Sequence, residues 1–271
     1  MTLVLALFAG ALIGLSLGAL GGGGSILAVP VLVYVLGQSA SQATTGSLVV
    51  VGVTSLLGAV LAHRAGHVLL ARGVTFGAVA LGGAALGAHF SSRVPDPVLL
   101  ASFAALMLVV ATVMGVRTLR SGDTVPAQRA ALDDPIISFS PTFACQCPRA
   151  LKVLLTATAV GLLTGFLGVG GGFLVVPALL VALSLPIQYA AGTSLVVITM
   201  TSAMALVVRA GAGAAPDWWI VLTLTAASAA GAAAGVRVAA RADTRRLQSA
   251  FTLLVLGVAI YTAARAFPAL A

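Results

Sequence analysis

The 271-residue sequence contains no glutamate and no asparagine, and charged residues make up only 7% of it. Soluble domains carry roughly 25% charged residues, so a soluble fold is excluded at the outset. The six acidic residues are all aspartates, Asp96, Asp123, Asp133, Asp134, Asp217 and Asp243, and each falls in a loop or at a segment end. No carboxylate is therefore expected within the membrane, where such groups commonly serve proton relays. Cysteine is nearly absent too. Cys145 and Cys147 lie one residue apart in a central loop, poor disulfide partners and too few ligands for a metal site. No cofactor and no metal are expected.

What is present is apolar. Hydrophobic residues make up 60% of the chain and the mean hydropathy is +1.15, with apolar runs from end to end, as in an integral membrane protein. Residues 1–20 read as a retained segment: no basic stretch precedes Leu3, and the apolar pattern continues past Pro30. The net charge of +8 would suggest nucleic acid in a soluble protein. Here it is assigned to cytoplasmic loops, and the expected partners are the lipid bilayer and a small molecule, with a homo-oligomer left open.

The sequence is internally duplicated. GLSLGALGGGGSILAVP (14–30) aligns without gaps on GLLTGFLGVGGGFLVVP (161–177), and ATTGSLVVVGVTS (43–55) on AAGTSLVVITMTS (190–202) at the same offset of 147. Three parts follow: a first membrane repeat (1–119), a cytoplasmic linker (120–150) and a second membrane repeat (151–271). Each half holds five apolar segments, near 3–20, 25–37, 42–62, 71–90 and 97–118, then 151–167, 172–184, 188–208, 217–236 and 246–265. The second segment of each half has about thirteen residues, roughly 20 Å of helix, short of a hydrocarbon core of about 30 Å. The first two segments of each half thus return the chain to its starting side, each half crosses an odd number of times, and the halves are inverted. An inverted arrangement puts eleven of the fourteen basic residues on one side, leaving Arg93, Arg209 and Arg265 opposite. That bias places the linker in the cytoplasm and both termini outside. The predicted fold is an all-α polytopic membrane protein of two inverted repeats, with helices broken or re-entrant at the glycine motifs.

Broken helices at matched positions of inverted repeats are the usual setting of a transporter site near the midplane. Gly21, Gly23, Gly24 and Ser25 in the first half correspond to Gly168, Gly170, Gly171 and Gly172 in the second, while Gly22 falls on Val169. Amides that open the short segments at Gly24/Ser25 and Gly171/Gly172 would favour an anion. Thr45, Ser47, Thr193 and Ser194 open the third segments and are either helix caps or part of the same cavity. Gln188 stands beside the second of these motifs. Thr54/Ser55 and Thr201/Ser202, two turns on, read more readily as interhelical contacts than as ligands. The GxxxG pairs Gly14/Gly18, Gly83/Gly87, Gly161/Gly165 and Gly231/Gly235 read as close helix packing, a reading that does not extend to four glycines in a row. His63, His67 and His89 sit near segment ends and read as interfacial, and Trp218-Trp219 as a membrane-surface anchor.

With both glycine motifs and both hydroxyl motifs in view, the sequence resembles the sulfite exporter TauE/SafE family of bacterial membrane permeases over nearly its whole length. The resemblance implies movement of sulfite, sulfoacetate or other sulfonates, thiosulfate or another organic anion across the bacterial inner membrane. The chain departs from the usual pattern in its first half, with GGGGS where the second half has GVGGG, and TTGS where it has AGTS. The expected activity is export by a secondary carrier. The alternatives are a proton- or sodium-coupled importer, an anion channel, or an intramembrane enzyme built on Ser47 or Ser194, for which no base lies nearby in the pattern.

Overall fold

The computed structural model describes residues 2–20, 22, 24–91, 93–120, 147–168, 171–183, 185, 187–210, 216–239, 253, 256–258 and 260–262. Among these residues every regular element is helical. The helices are α1 (Thr2–Leu20), α2 (Ser25–Pro30), α3 (Ala40–Arg64), α4 (Leu70–Ser91), α5 (Asp96–Arg120), α6 (Cys147–Leu167), α7 (Gly172–Ala182), α8 (Ile187–Arg209) and α9 (Trp218–Ala239), with a π-helical turn at Val31–Val35 continuing α2. Four of them, α3, α4, α8 and α9, are long and apolar enough to cross a membrane. Leu3, Val4, Phe8 and Leu12 on α1, Leu155 on α6 and Trp219 on α9 are exposed. Large apolar side chains turned outward along several helices suit a protein whose solvent is lipid.

The predicted segments lie on these helices, with two shifts. Ser39 caps α3: its hydroxyl accepts from the Gln42 amide while the Gln42 side chain accepts from the Ser39 amide. This reciprocal cap satisfies two orphan donors and starts the helix at Ala40, so Thr44, Thr45 and Ser47 lie inside it. Residues 147–150, predicted as linker, are the first turn of α6, where Pro148 is tolerated because that amide has no helical acceptor. Of the predicted tenth segment, 253, 256–258 and 260–262 are described and are helical, with Tyr261 edge-on to Tyr34 at 5.7 Å. Cys145 lies outside the described residues.

Packing is dominated by exchange between the first and second halves of the chain. Helix α1 lies along α9 and α6 along α4, through seams of small residues. Gly14 and Gly18 face the backbone of Ser228 and Ala232, while Gly161 and Gly165 face that of Ala80 and Ala84. Gly231 and Gly235 return the contact to Ala11 and Leu15, and Gly83 and Gly87 to Thr158 and Leu162. All four GxxxG pairs therefore bring backbones together where a methyl group would collide. Between these seams α3 packs on α8 in antiparallel fashion, Gly52 beside Ser202 and Gly58 beside Leu195. The core they enclose includes Ile13, Leu17, Leu32, Phe76, Leu179, Leu195, Ile198 and Leu224, all fully buried.

Candidate functional site

The glycine motifs interrupt the chain between α1 and α2 and between α6 and α7, and the two interruptions touch. A methyl group on Gly22 would lie 2.7 Å from the Gly172 Cα and from the Ile198 side chain. Ile198 is midway along α8, so the contact lies near the middle of the long helices. Gly22 has φ +96°, a conformation only glycine adopts without strain. Its carbonyl accepts from both the amide and the hydroxyl of Ser25, at 3.1 and 2.7 Å. Gly24 packs against the α1 backbone, where a methyl group would sit 2.8 Å from the Leu17 Cα. Gly171 (φ +60°) precedes α7 and abuts the Thr164 side chain, and Gly168 (φ +64°) abuts Thr44. Gly22, Gly24, Gly171 and Gly172 thus do have a packing reason, which helix-to-helix spacing alone does not reveal. Among the described residues no side chain caps either α2 or α7.

Of the residues predicted to bind substrate, Gly21, Gly23 and Gly170 lie outside the described residues. Gln188 falls in the first turn of α8, and its side chain lies outside them too. The hydroxyls of the TTGS and GTS motifs are engaged by backbone. Thr45 donates to the Ser41 carbonyl at 3.1 Å and Ser194 to that of Ala191 at 2.7 Å. Thr193 accepts from the Leu69 amide at 3.1 Å. Ser47 reaches the Thr44 carbonyl at 2.9 Å and also the carbonyl of Gly168. They join α3 to the second glycine motif and α8 to the turn before α4.

The hydroxyls two turns further on behave differently. Thr54 and Ser55 on α3 and Ser202 on α8 are fully buried, and their oxygens have no hydrogen-bond partner among the described residues. Thr201 instead bonds back to Val197 and Ile198. Ser55 and Ser202 are the same position of the duplicated sequence. Ser202 sits beside Gly52 and one turn from Ile198, so it lies on the same face as the contact between the two glycine breaks. A buried hydroxyl without a partner is unfavourable by about 1–3 kcal/mol.

Among the described residues two arginines also reach the interior. Arg209, at the end of α8, is 6% exposed. It donates to the Thr44 hydroxyl at 2.9 Å, to Ser91, and at 3.4 Å to the Phe166 carbonyl. Charge counting set it among surface residues; its burial depends on α3, α4 and α6 converging from distant parts of the sequence. Arg72, in the first turn of α4, is also buried. The two described carboxylates stand at helix starts: Asp96 accepts from the Ala40 amide and Asp217 from the Trp219 amide. His67 meets Tyr189 edge-on and His89 meets Phe90, both near helix ends. No cluster of three metal-ligating side chains occurs among the described residues.

These features are those of a helical membrane protein whose chain breaks at two glycine motifs that pack on one another. Residues 6–262 match the family described as sulfite exporter TauE/SafE. The chain belongs to that family. It is 32% identical over 276 residues to a "Probable membrane transporter protein" of Xylella fastidiosa (strain 9a5c), covering 99% of this chain and 98% of that one. A protein of the same name from strain Temecula1 is 32% identical over 272 residues, with the same coverage. The "Probable membrane transporter protein YdhB" of Bacillus subtilis (strain 168) is 25% identical over 198 residues, 73% of this chain and 74% of that one. No solved structure matches it. As a TauE/SafE member the chain is a multi-pass membrane transporter.

Proposed function

We propose that the protein is a secondary carrier that exports a small sulfur-containing or organic anion, in the class of sulfite, sulfonates and thiosulfate, from the cytoplasm. The observation that carries this reading is the pair of unpartnered buried hydroxyls, Ser55 and Ser202, at matched positions of the duplicated sequence on the α3–α8 pair, with Ser202 one turn from Ile198, which meets Gly22 of the first glycine break. Hydroxyls donate to oxyanions, and irregular backbone at membrane depth is tolerated where it is buried in protein or lines a water-filled cavity, the usual setting of a transporter site. The cross-half seams support alternating access, in which α1, α6 and their partners rock around the α3–α8 pair. Inverted halves, a cytoplasmic linker and external termini complete the reading.

Export needs no coupling ion on this scheme, because an anion leaving an inside-negative cell moves down the electrical gradient. The protein is not an enzyme on this reading, since Ser47 and Ser194 bond to backbone carbonyls and the histidines stand near helix ends.

The test is flux into proteoliposomes holding the purified full chain, across sulfite, thiosulfate, sulfonates and carboxylates. Saturable flux with counterflow, favouring the sulfur oxyanions, is the expected result. Single-channel currents, or no flux of any of these anions, would overturn the reading.

A further inference from the structure

We infer that Arg209 forms a second anion station, one that supplies the positive charge the central hydroxyls lack and through which the substrate passes at one end of the α3–α8 pair. The inference rests on the anion-carrier reading above.

Arg209 is buried with its charge uncompensated. The guanidinium is engaged at its terminal nitrogens by neutral acceptors only: the hydroxyls of Thr44 and Ser91, and the carbonyls of Gly165 and Phe166. Its Nε is buried and has no partner among the described residues. Carbonyls and hydroxyls hold a guanidinium in place, yet they do not neutralise it. A buried cation is stable only when paired, and in a membrane protein such a group is by default a functional one with a partner to be named. The chain supplies no ion pair for Arg209 among the described residues. A small oxyanion is the chemistry that would pair it, since arginine presents planar donors matched to such groups.

Position supports the same assignment. Along α8, Arg209 lies seven residues beyond Ser202, about 10 Å at 1.5 Å per residue. Along α3, Thr44 lies eleven residues before Ser55, about 16 Å. The arginine and the hydroxyl pair are therefore two stations on the same two helices, one near an end and one near the middle. Thr44 also touches Gly168, so the arginine is linked to the second glycine break. The RAG that ends α8 (209–211) matches, two positions off the 147-residue offset, the RAG that ends α3 (64–66), yet Arg64 is exposed where Arg209 is buried, and the position corresponding to Thr44 is Ala191. The cation breaks the symmetry of the two halves and gives one end its own affinity for negative charge.

The test uses the purified full chain and three forms: wild type, Arg209→Gln and Arg209→Lys. Sodium sulfite is titrated against thermal stability, with sodium chloride at equal ionic strength as control, and sulfite flux is measured in proteoliposomes. Wild type should be stabilised by sulfite, by ligand linkage. Arg209→Gln should lose that response and raise the KM for flux at least tenfold. Arg209→Lys, which keeps the charge without the planar donors, should retain a response displaced about tenfold in concentration. If Arg209→Gln keeps the wild-type sulfite dependence while melting at a lower temperature, the residue is a structural latch and the inference is overturned. If Arg209→Gln does not fold, the lysine form decides, and an unchanged KM there overturns it. A wild-type protein that neither binds nor moves sulfite or the other anions defeats the carrier reading itself, an outcome visible before any variant is compared.

Discussion

The Ser47 hydroxyl donates to the carbonyl of Gly168, 121 residues away, and fastens α3 of one half to the broken stretch of the other. The bond uses the side chain that the sequence pattern offered as a ligand for substrate. Removing it in Ser47→Ala should lower stability by about 1 kcal/mol, the net worth of a typical buried hydrogen bond. The expected readout is a lower melting temperature with the KM for anion flux unchanged within about twofold. A tenfold rise in KM without loss of stability would return Ser47 to the substrate.

Ser55 and Ser202 should show the opposite pattern. Neither oxygen has a partner among the described residues, so replacing either by alanine removes an unsatisfied group and should leave the empty protein as stable or more so. A hydrogen bond to a charged ligand is worth roughly 1.5–3 kcal/mol, which corresponds to a tenfold or greater rise in KM. Melting curves and flux measured on the single variants and on the pair would separate the two effects. Lost stability with unchanged KM would mean that these hydroxyls hold helices together.

These contrasts mark how far the sequence could be read. Apolar segment lengths and the repeat offset showed the helices, because membrane thickness and duplication leave a direct imprint on sequence. The glycine breaks were visible for the same reason, although not that Gly22 and Gly172 pack on one another. The hydroxyl motifs are visible in the sequence, but not which of their oxygens bond to backbone. Ser39 and Gln42 cap α3 earlier than the TTGS motif suggested, which turns Thr45 and Ser47 inward to backbone partners. Whether Ser55 and Ser202 bond back to their own helix depends on rotamer and neighbours, and no pattern in the sequence encodes that. Arg209 was illegible as a buried group because its acceptors Thr44 and Ser91 lie 165 and 118 residues away.

Alanine at Gly172 should be poorly tolerated for a steric reason. Its methyl group would lie 2.6 Å from the Gly22 Cα, and both sides of the contact are backbone that cannot rotate away. Overpacking of this kind destabilises by about 1–3 kcal/mol. Gly82→Ala is the matched control, since nothing lies within 4 Å of a methyl group there, and inside α4 it should leave stability unchanged or raise it by up to about 1 kcal/mol. Folded yield and melting temperature of the two variants check the difference. Equal tolerance would mean that the two breaks do not pack on each other in the membrane.

Membrane potential should act on the transport rate and gradient directly if the anion moves alone. One elementary charge crossing 100 mV changes free energy by about 2.3 kcal/mol, which is roughly fortyfold in the concentration ratio at equilibrium. Vesicles with a potassium diffusion potential and no proton or sodium gradient should therefore drive a monovalent sulfonate away from the negative side to about that ratio. The measurement is the steady-state distribution of labelled sulfonate as the potential is stepped, with the proton gradient collapsed. The two described carboxylates, Asp96 and Asp217, are held at helix starts by the Ala40 and Trp219 amides, which leaves neither placed to carry a proton through the middle. Accumulation that ignores the potential and follows an imposed proton gradient would instead require a coupled carrier, and would direct attention to the histidines at the helix ends.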